Sequence, residues 1–113
     1  MKFVTESTYW AKIYASGPIE KAKEIIRQSV FEEGLCVTIE PTLFIYTGGE
    51  ESGYVVGLIN YPRFPERAKN IFARACELAG LLLEGTYQHS ILIMSPDVTT
   101  WITKREEDSN ESS

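Results

Sequence analysis

Three groups of residues in this chain carry side chains or backbone suited to chemistry. The stretch Thr47-Gly48-Gly49-Glu50-Glu51-Ser52-Gly53 holds three glycines in seven residues. Glycine permits positive φ and close approach of the backbone to a ligand, and it equally makes plain hairpin turns. Thr47, Gly48, Gly49 and Ser52 are therefore candidate ligand contacts. Glu50 and Glu51 repel a phosphate, and no Gly-Lys-Ser/Thr follows, so a phosphate-cradling loop is not supported. A second group is Asn60-Tyr61-Pro62-Arg63-Phe64-Pro65. Arg63 precedes an expected helix N-terminus, where anions are favoured, and a guanidinium reads a carboxylate or phosphate through two parallel bonds. Tyr61 and Phe64 offer rings for stacking or pack the end of a sheet; Asn60 and Tyr61 join Arg63 as candidates. The third group is His89, the single histidine. With Glu50 or Glu51 it forms an acid/base or metal pair on paper, but no Ser or Cys nucleophile stands at diagnostic spacing and no further ligand completes a metal site. No catalytic residue, metal or cofactor is expected.

These residues need elements to hold them. Tyr9–Ser16 reads as a strand with Tyr9, Ala11, Ile13 and Ala15 on one face and Trp10, Lys12, Tyr14 and Ser16 on the other. Gly17-Pro18 breaks it, and proline suits a first helical position. A helix to about Glu33 buries Ala22, Ile25, Ile26, Ser29 and Val30. Gly34 fits its C-terminal cap. Leu35–Tyr46 reads as a second strand, interrupted at Pro41 and so an edge or bulged one. Thr47–Gly53 turns the chain and Tyr54–Tyr61 returns as the third strand. A helix from about Glu66 to Glu84 follows, with a stripe of Ala68, Ile71, Phe72, Ala75, Leu78, Ala79, Leu82 and Leu83. Gln88–Ser95 is the fourth strand, and Pro96-Asp97 leaves Val98–Thr103 as a candidate fifth.

The order β-α-β-β-α-β predicts an α+β, ferredoxin-like sandwich: an antiparallel sheet with both helices on one face. Residues 1–104 form the single domain and 105–113 an acidic, mobile tail. Strands three and four are apolar on both sides, so the uncovered face, assigned to Tyr54, Val56, Leu58, Leu92 and Met94, is expected at an interface between copies. The topology gathers the hairpin and Tyr87-Gln88-His89 at one end of the sheet and Asn60–Arg63 at the other.

Composition sets outer limits. The 113 residues carry 11 basic and 16 acidic side chains, a formal charge of −5, which argues against broad binding to a nucleic-acid backbone. No apolar run approaches the ~18 residues of a membrane span, and the first residues lack a signal-peptide core, so a cytoplasmic protein is expected. Cys36 and Cys76 read as reduced, buried thiols.

The stretch Gly34-Leu35-Cys36-Val37-Thr38-Ile39-Glu40-Pro41, with Phe44-Ile45-Tyr46 and the Gly/Glu hairpin, resembles the CutA family, ferredoxin-like trimers related in architecture to PII-like signalling proteins. The resemblance covers roughly residues 9–61. It implies a trimer-prone sandwich in which the loop between strands two and three senses ligands. The small acidic format also resembles phage accessory proteins.

The leading expectation is a non-enzymatic homo-oligomer, trimer or dimer, paired through its open sheet face and holding a small anionic ligand such as a signal nucleotide between subunits. Sequestration of that ligand as a phage counter-defence fits it. Two alternatives stand beside it: an acidic protein-interaction module regulating a partner, and a CutA-like metal-tolerance protein or small acid/base enzyme using His89.

Overall fold

The computed structural model describes residues 1–33 and 36–105. Its elements run β1 (Trp10–Ser16), α1 (Ile19–Glu33), β2 (Thr38–Tyr46), β3 (Gly49–Ile59), α2 (Ala68–Gly85), β4 (Ser90–Met94) and β5 (Thr99–Thr103). The strands form one five-stranded sheet in the order β2-β3-β1-β4-β5, antiparallel at every pairing. This is the α+β, ferredoxin-like arrangement that the element order predicts, and the candidate fifth strand is present at the edge beside β4. The expected cap at Gly34, the strand start at Leu35 and the tail beyond Arg105 lie outside the described residues.

Alternation along β1 decides which face is covered. Ala11, Ile13 and Ala15 are buried beneath the helices with Tyr54, Val56 and Leu58 of β3 and Ile91 and Ile93 of β4. From α1 come Ala22 and Ile26, and from α2 Ile71, Ala75, Leu78, Ala79, Leu82 and Leu83. The helical stripes read from the 3.6-residue period are therefore the ones that pack, except that Ala68 at the start of α2 is exposed.

The expectation for the open face needs correcting. Tyr54, Val56 and Leu58 lie under the helices, at 2% exposure or less; only Leu92 and Met94 of that set lie on the uncovered side. Register gives the reason. Tyr54 is opposite Ala15, Val56 opposite Ile13 and Leu58 opposite Ala11, so the three share the face of the buried residues of β1.

The hairpin differs as well. Thr47–Gly53 is not a loop, for β3 begins at Gly49, and Thr47-Gly48 alone make the turn, with Gly48 at φ +96°. β2 pairs with β3 one-to-one from Thr38↔Gly57 to Tyr46↔Gly49, straight through Pro41. Proline is tolerated because β2 is the edge strand and its missing N–H would face outward. Since β1 ends at Ser16↔Gly53, the pairs Leu43↔Ser52 to Tyr46↔Gly49 project beyond the sheet as a two-stranded arm.

Cys36 and Cys76 are free thiols, but Cys36 is exposed rather than buried because it precedes β2 instead of lying within a strand. Burial, and then the charge of Glu77, push the Cys76 thiol above its ordinary value. Among the described residues no helix is long and apolar enough to cross a membrane.

Candidate functional site

The uncovered side of the sheet carries a groove of about 370 Å³ at the end where β1 finishes. Its floor is Tyr14 and Ser16 of β1 with Ser90, Leu92 and Met94 of β4; Phe44 and Glu51 from the β2–β3 arm stand along one side and Trp101 of β5 along the other. Strand alternation and register put them there: Tyr14 is opposite Leu92, Leu92 opposite Trp101, Ser16 opposite Gly53, and Phe44 opposite Glu51.

Gly53 shapes the wall. A Cβ at that position would come within 2.5 Å of Phe44 Cε2 and 2.9 Å of Ser16 Cα, and against the Ala15 carbonyl oxygen. Only glycine lets the Phe44 ring lie across β3 towards β1. Phe44 is half-buried as a result, whereas Ile45, on the other face of the arm, is 75% exposed.

Polar groups line the same end. The Ser16 hydroxyl donates to Gln88 Oε1 at 3.0 Å, and Gln88 Nε2 donates to the Thr86 carbonyl at 3.2 Å. Glu51 is the one charged side chain lining the groove among the described residues. A groove with aromatic and aliphatic walls and a single carboxylate favours a cation with an apolar body: the carboxylate supplies the charge, and ring faces attract cations as well. Lys12 lies on the same sheet face towards the opposite end, over the Trp10 ring at 5.5 Å.

The candidates singled out in the sequence are distributed as the topology requires. Thr47, Gly48 and Gly49 are exposed at the tip of the arm. Ser52 and Glu50 lie on the opposite side of β3 from Glu51, because successive side chains alternate. His89 is exposed, one residue before β4, and its carbonyl accepts from Lys104 N at 2.9 Å. Since Glu50 and Glu51 face opposite sides of the sheet, the two do not both converge with His89 in one metal set. Among the described residues no cluster of three or more His, Cys, Asp or Glu is placed to hold a metal.

At the other end Asn60 is a tie. Its Nδ2 donates to Ser7 O at 2.8 Å and its Oδ1 accepts from Glu66 N at 2.9 Å, joining the N-terminal segment to the approach to α2. Tyr61 and Phe64 pack ring to ring at 6.3 Å, and the exposed Arg63 guanidinium stacks on Phe64 at 5.4 Å. Sequence reasoning passed over Tyr14, Ser16, Phe44 and Trp101 as groove residues, and read Glu51 only as a partner of His89. The available signal was the run of polar and aromatic side chains on the second face of β1.

No family model matches the chain, and no curated protein matches it. Two solved structures share its fold. A phage SAM lyase in the apo state superposes with a TM-score of 0.69 at 15% identity, over 93% of this chain and 96% of that one. A phage SAM lyase in complex with S-methyl-5'-thioadenosine gives 0.65 at 12% identity, over 91% and 95%. Coverage this complete in both directions establishes the fold.

It also overturns the expectation of a non-enzymatic protein that sequesters an anionic ligand. Both fold neighbours are a lyase, and the ligand of the second is a neutral thioether nucleoside without a phosphate.

Proposed function

We propose that this chain is a phage lyase acting on a sulfonium nucleoside of the S-adenosylmethionine class, in the groove on the open face of its sheet. The observation that carries the proposal is Glu51: a lone carboxylate in a groove otherwise lined by Tyr14, Phe44, Ile91, Leu92, Met94, Trp101 and small residues. S-Adenosylmethionine matches that lining, with a positively charged sulfur, an ammonium group and a flat adenine. The two lyase structures of the same fold support the assignment.

The chemistry makes modest demands on the protein. When the bond from sulfur to the four-carbon chain breaks, its electron pair stays on sulfur and the cation becomes neutral S-methyl-5'-thioadenosine. The chain leaves either closed on its own carboxylate or with a double bond after losing a proton. Both routes balance without water, oxidant or a second substrate. What the groove contributes is binding, orientation and a field that follows the charge: Glu51 stabilises the cationic substrate, and the neutral product loses that attraction. Because such a substrate is made inside cells, the activity belongs in the cytoplasm.

A second copy of the chain over the open face belongs to the same proposal. Trp101 and Ile59 are half or more exposed there, and Tyr46 extends the apolar surface along the arm. Light scattering tests it, and a stable monomer of 12.8 kDa at micromolar concentration overturns it.

The activity itself is tested by incubating the purified protein with S-adenosylmethionine and following S-methyl-5'-thioadenosine by chromatography and mass spectrometry. Product accumulating in proportion to protein, with the mass of the four-carbon fragment identifying the route, is the expected result. No product above the spontaneous rate overturns the proposal.

A further inference from the structure

The polar end of the groove is built by a chain of hydrogen bonds that begins outside it. Thr86 ends α2, with its N–H and its hydroxyl both directed to the Leu82 carbonyl at 3.0 and 2.6 Å. That fixes the Thr86 residue, whose own carbonyl then accepts from Gln88 Nε2 at 3.2 Å. A carbonyl cannot donate, so it orients the Gln88 amide: nitrogen towards Thr86, oxygen towards Ser16. An amide oxygen cannot donate either, so the hydrogen of Ser16 Oγ is committed to it. The lone pairs of Ser16 are what the hydroxyl has left for a ligand in the groove. Backbone geometry supports the same arrangement. Gly17 has φ +116°, and a Cβ on it would come 2.9 Å from Gln88 Nε2, so glycine is what lets the amide approach.

We propose that Gln88 is a positioning residue that makes Ser16 a hydrogen-bond acceptor, and that Ser16 and Glu51 together receive the α-ammonium group of an amino-acid-bearing substrate. Ser16 is directly opposite Gly53, and Glu51 stands two residues further along β3 on the same face. That diagonal separates their backbones by roughly 7–8 Å, within joint reach of one small group. Both members are acceptors and one is charged. An ammonium, with three N–H donors and a positive charge, satisfies both; a carboxylate is repelled by both. A sulfonium has the charge but no N–H to give Ser16. The Phe44 ring beside Gly53 adds an aromatic surface that tolerates a cation.

This assignment rests on the proposed function, and two probes separate its failure from that of the function. S-Adenosylmethionine carries the ammonium; S-methyl-5'-thioadenosine does not. Ser16→Ala, Gln88→Leu and the double variant are compared with the unaltered protein for KM and kcat with the first probe and for Kd with the second. The expected result is a rise in KM of about tenfold for either single variant, a much smaller change in kcat, and a Kd for S-methyl-5'-thioadenosine within about twofold of the original. The double variant should be no worse than Ser16→Ala alone, since Gln88 acts through Ser16.

An unchanged KM, additive effects, or parallel losses for the two probes overturn the assignment while leaving the lyase function standing. An unaltered protein that cleaves no S-adenosylmethionine overturns the function, and this assignment with it. If Gln88→Leu fails to fold, Ser16→Ala alone still reads the ammonium contact through the same comparison of probes.

Discussion

Tyr54 offers a measurement that tests the packing beneath the sheet directly. Its ring is fully buried, and among the described residues its hydroxyl has no hydrogen-bond partner. The Thr86 hydroxyl lies close enough to favour the ionised phenol slightly, but it donates its hydrogen to Leu82 O and does not meet hydrogen-bonding geometry with Tyr54. A buried hydroxyl left unpaired costs about 1–3 kcal/mol relative to one in water. Tyr54→Phe removes that cost and leaves a void no larger than the oxygen. Allowing for lost contacts of the oxygen itself, the variant should be more stable by about 1 kcal/mol at neutral pH, which for a domain this size raises Tm by ~4 °C. The assay is urea denaturation, with a higher midpoint at an unchanged slope.

A pH series adds a second check on the same residue. Burial pushes the Tyr54 phenol above its ordinary value, and the Thr86 hydroxyl offsets only part of this. In the unfolded chain the phenol ionises near 10; in the folded chain it is still protonated there. Above that pH the unfolded state holds fewer protons than the native state, so stability falls as pH rises. Below the unfolded value the contribution is fully present. The advantage of Tyr54→Phe should therefore be flat up to about pH 9 and widen above pH 10, the other tyrosines cancelling between the two proteins. A variant less stable than the original by more than 1 kcal/mol at pH 7 refutes the reasoning, because the hydroxyl must then hold a partner such as an ordered water.

Three further outcomes are expected. Leu58→Ala should cost about 2–5 kcal/mol in denaturant midpoint without changing the assembly state, because Leu58 is a core residue under the helices; a small cost with dissociation would mean that the face assignment is wrong. Glu51→Gln should raise KM for S-adenosylmethionine. At ~5 Å, a unit charge pair is worth about 1 kcal/mol in water and about 3 at an intermediate dielectric. Glu51 is exposed, so the lower figure applies, about fivefold in KM, shrinking as salt is added; an unaffected KM at low salt removes Glu51 from the site. Asn60→Ala should lose about 1–2 kcal/mol and speed amide exchange at Glu66, whose N–H it holds; unchanged exchange would show that the tie is not needed.

Much of the fold can be read from the chain, and the reason is periodicity. The two faces of β1, the stripe of α1 and the gathering of Gln88 and the hairpin at one end follow from 2.0- and 3.6-residue repeats and from strand direction. Periodicity divides a strand into two sides but does not say which is covered. β3 is apolar on both, with Val55 and Ile59 opposite to Tyr54, Val56 and Leu58, so its orientation depends on pairing with Ala11, Ile13 and Ala15. That pairing is a long-range fact.

The hairpin illustrates a different limit. Gly49, Gly53, Glu50 and Glu51 all have low strand propensity, and as a local string they read as a loop. Backbone pairing with Leu43–Tyr46 overrides the propensity. Gly53 then has a meaning that no turn rule supplies: it is small because the Phe44 ring lies over it. Once β3 is extended to Gly49, alternation sends Glu51 to the groove and Glu50 to the other side, and a pair of acidic residues that looked equivalent becomes one functional candidate and one bystander. The Ser16–Gln88 contact is harder still, since it joins residues 72 apart. Its ingredients are ordinary, a serine at a strand end and a glutamine after a helix. Their chemical meaning arises from direction alone: the helix terminus fixes Thr86, Thr86 orients Gln88, and Gln88 takes the hydrogen of Ser16. What reaches the groove is an acceptor beside a carboxylate, and that polarity makes a cation bearing N–H groups, rather than the anion suggested by Arg63 and the glycine-rich turn, the ligand that fits.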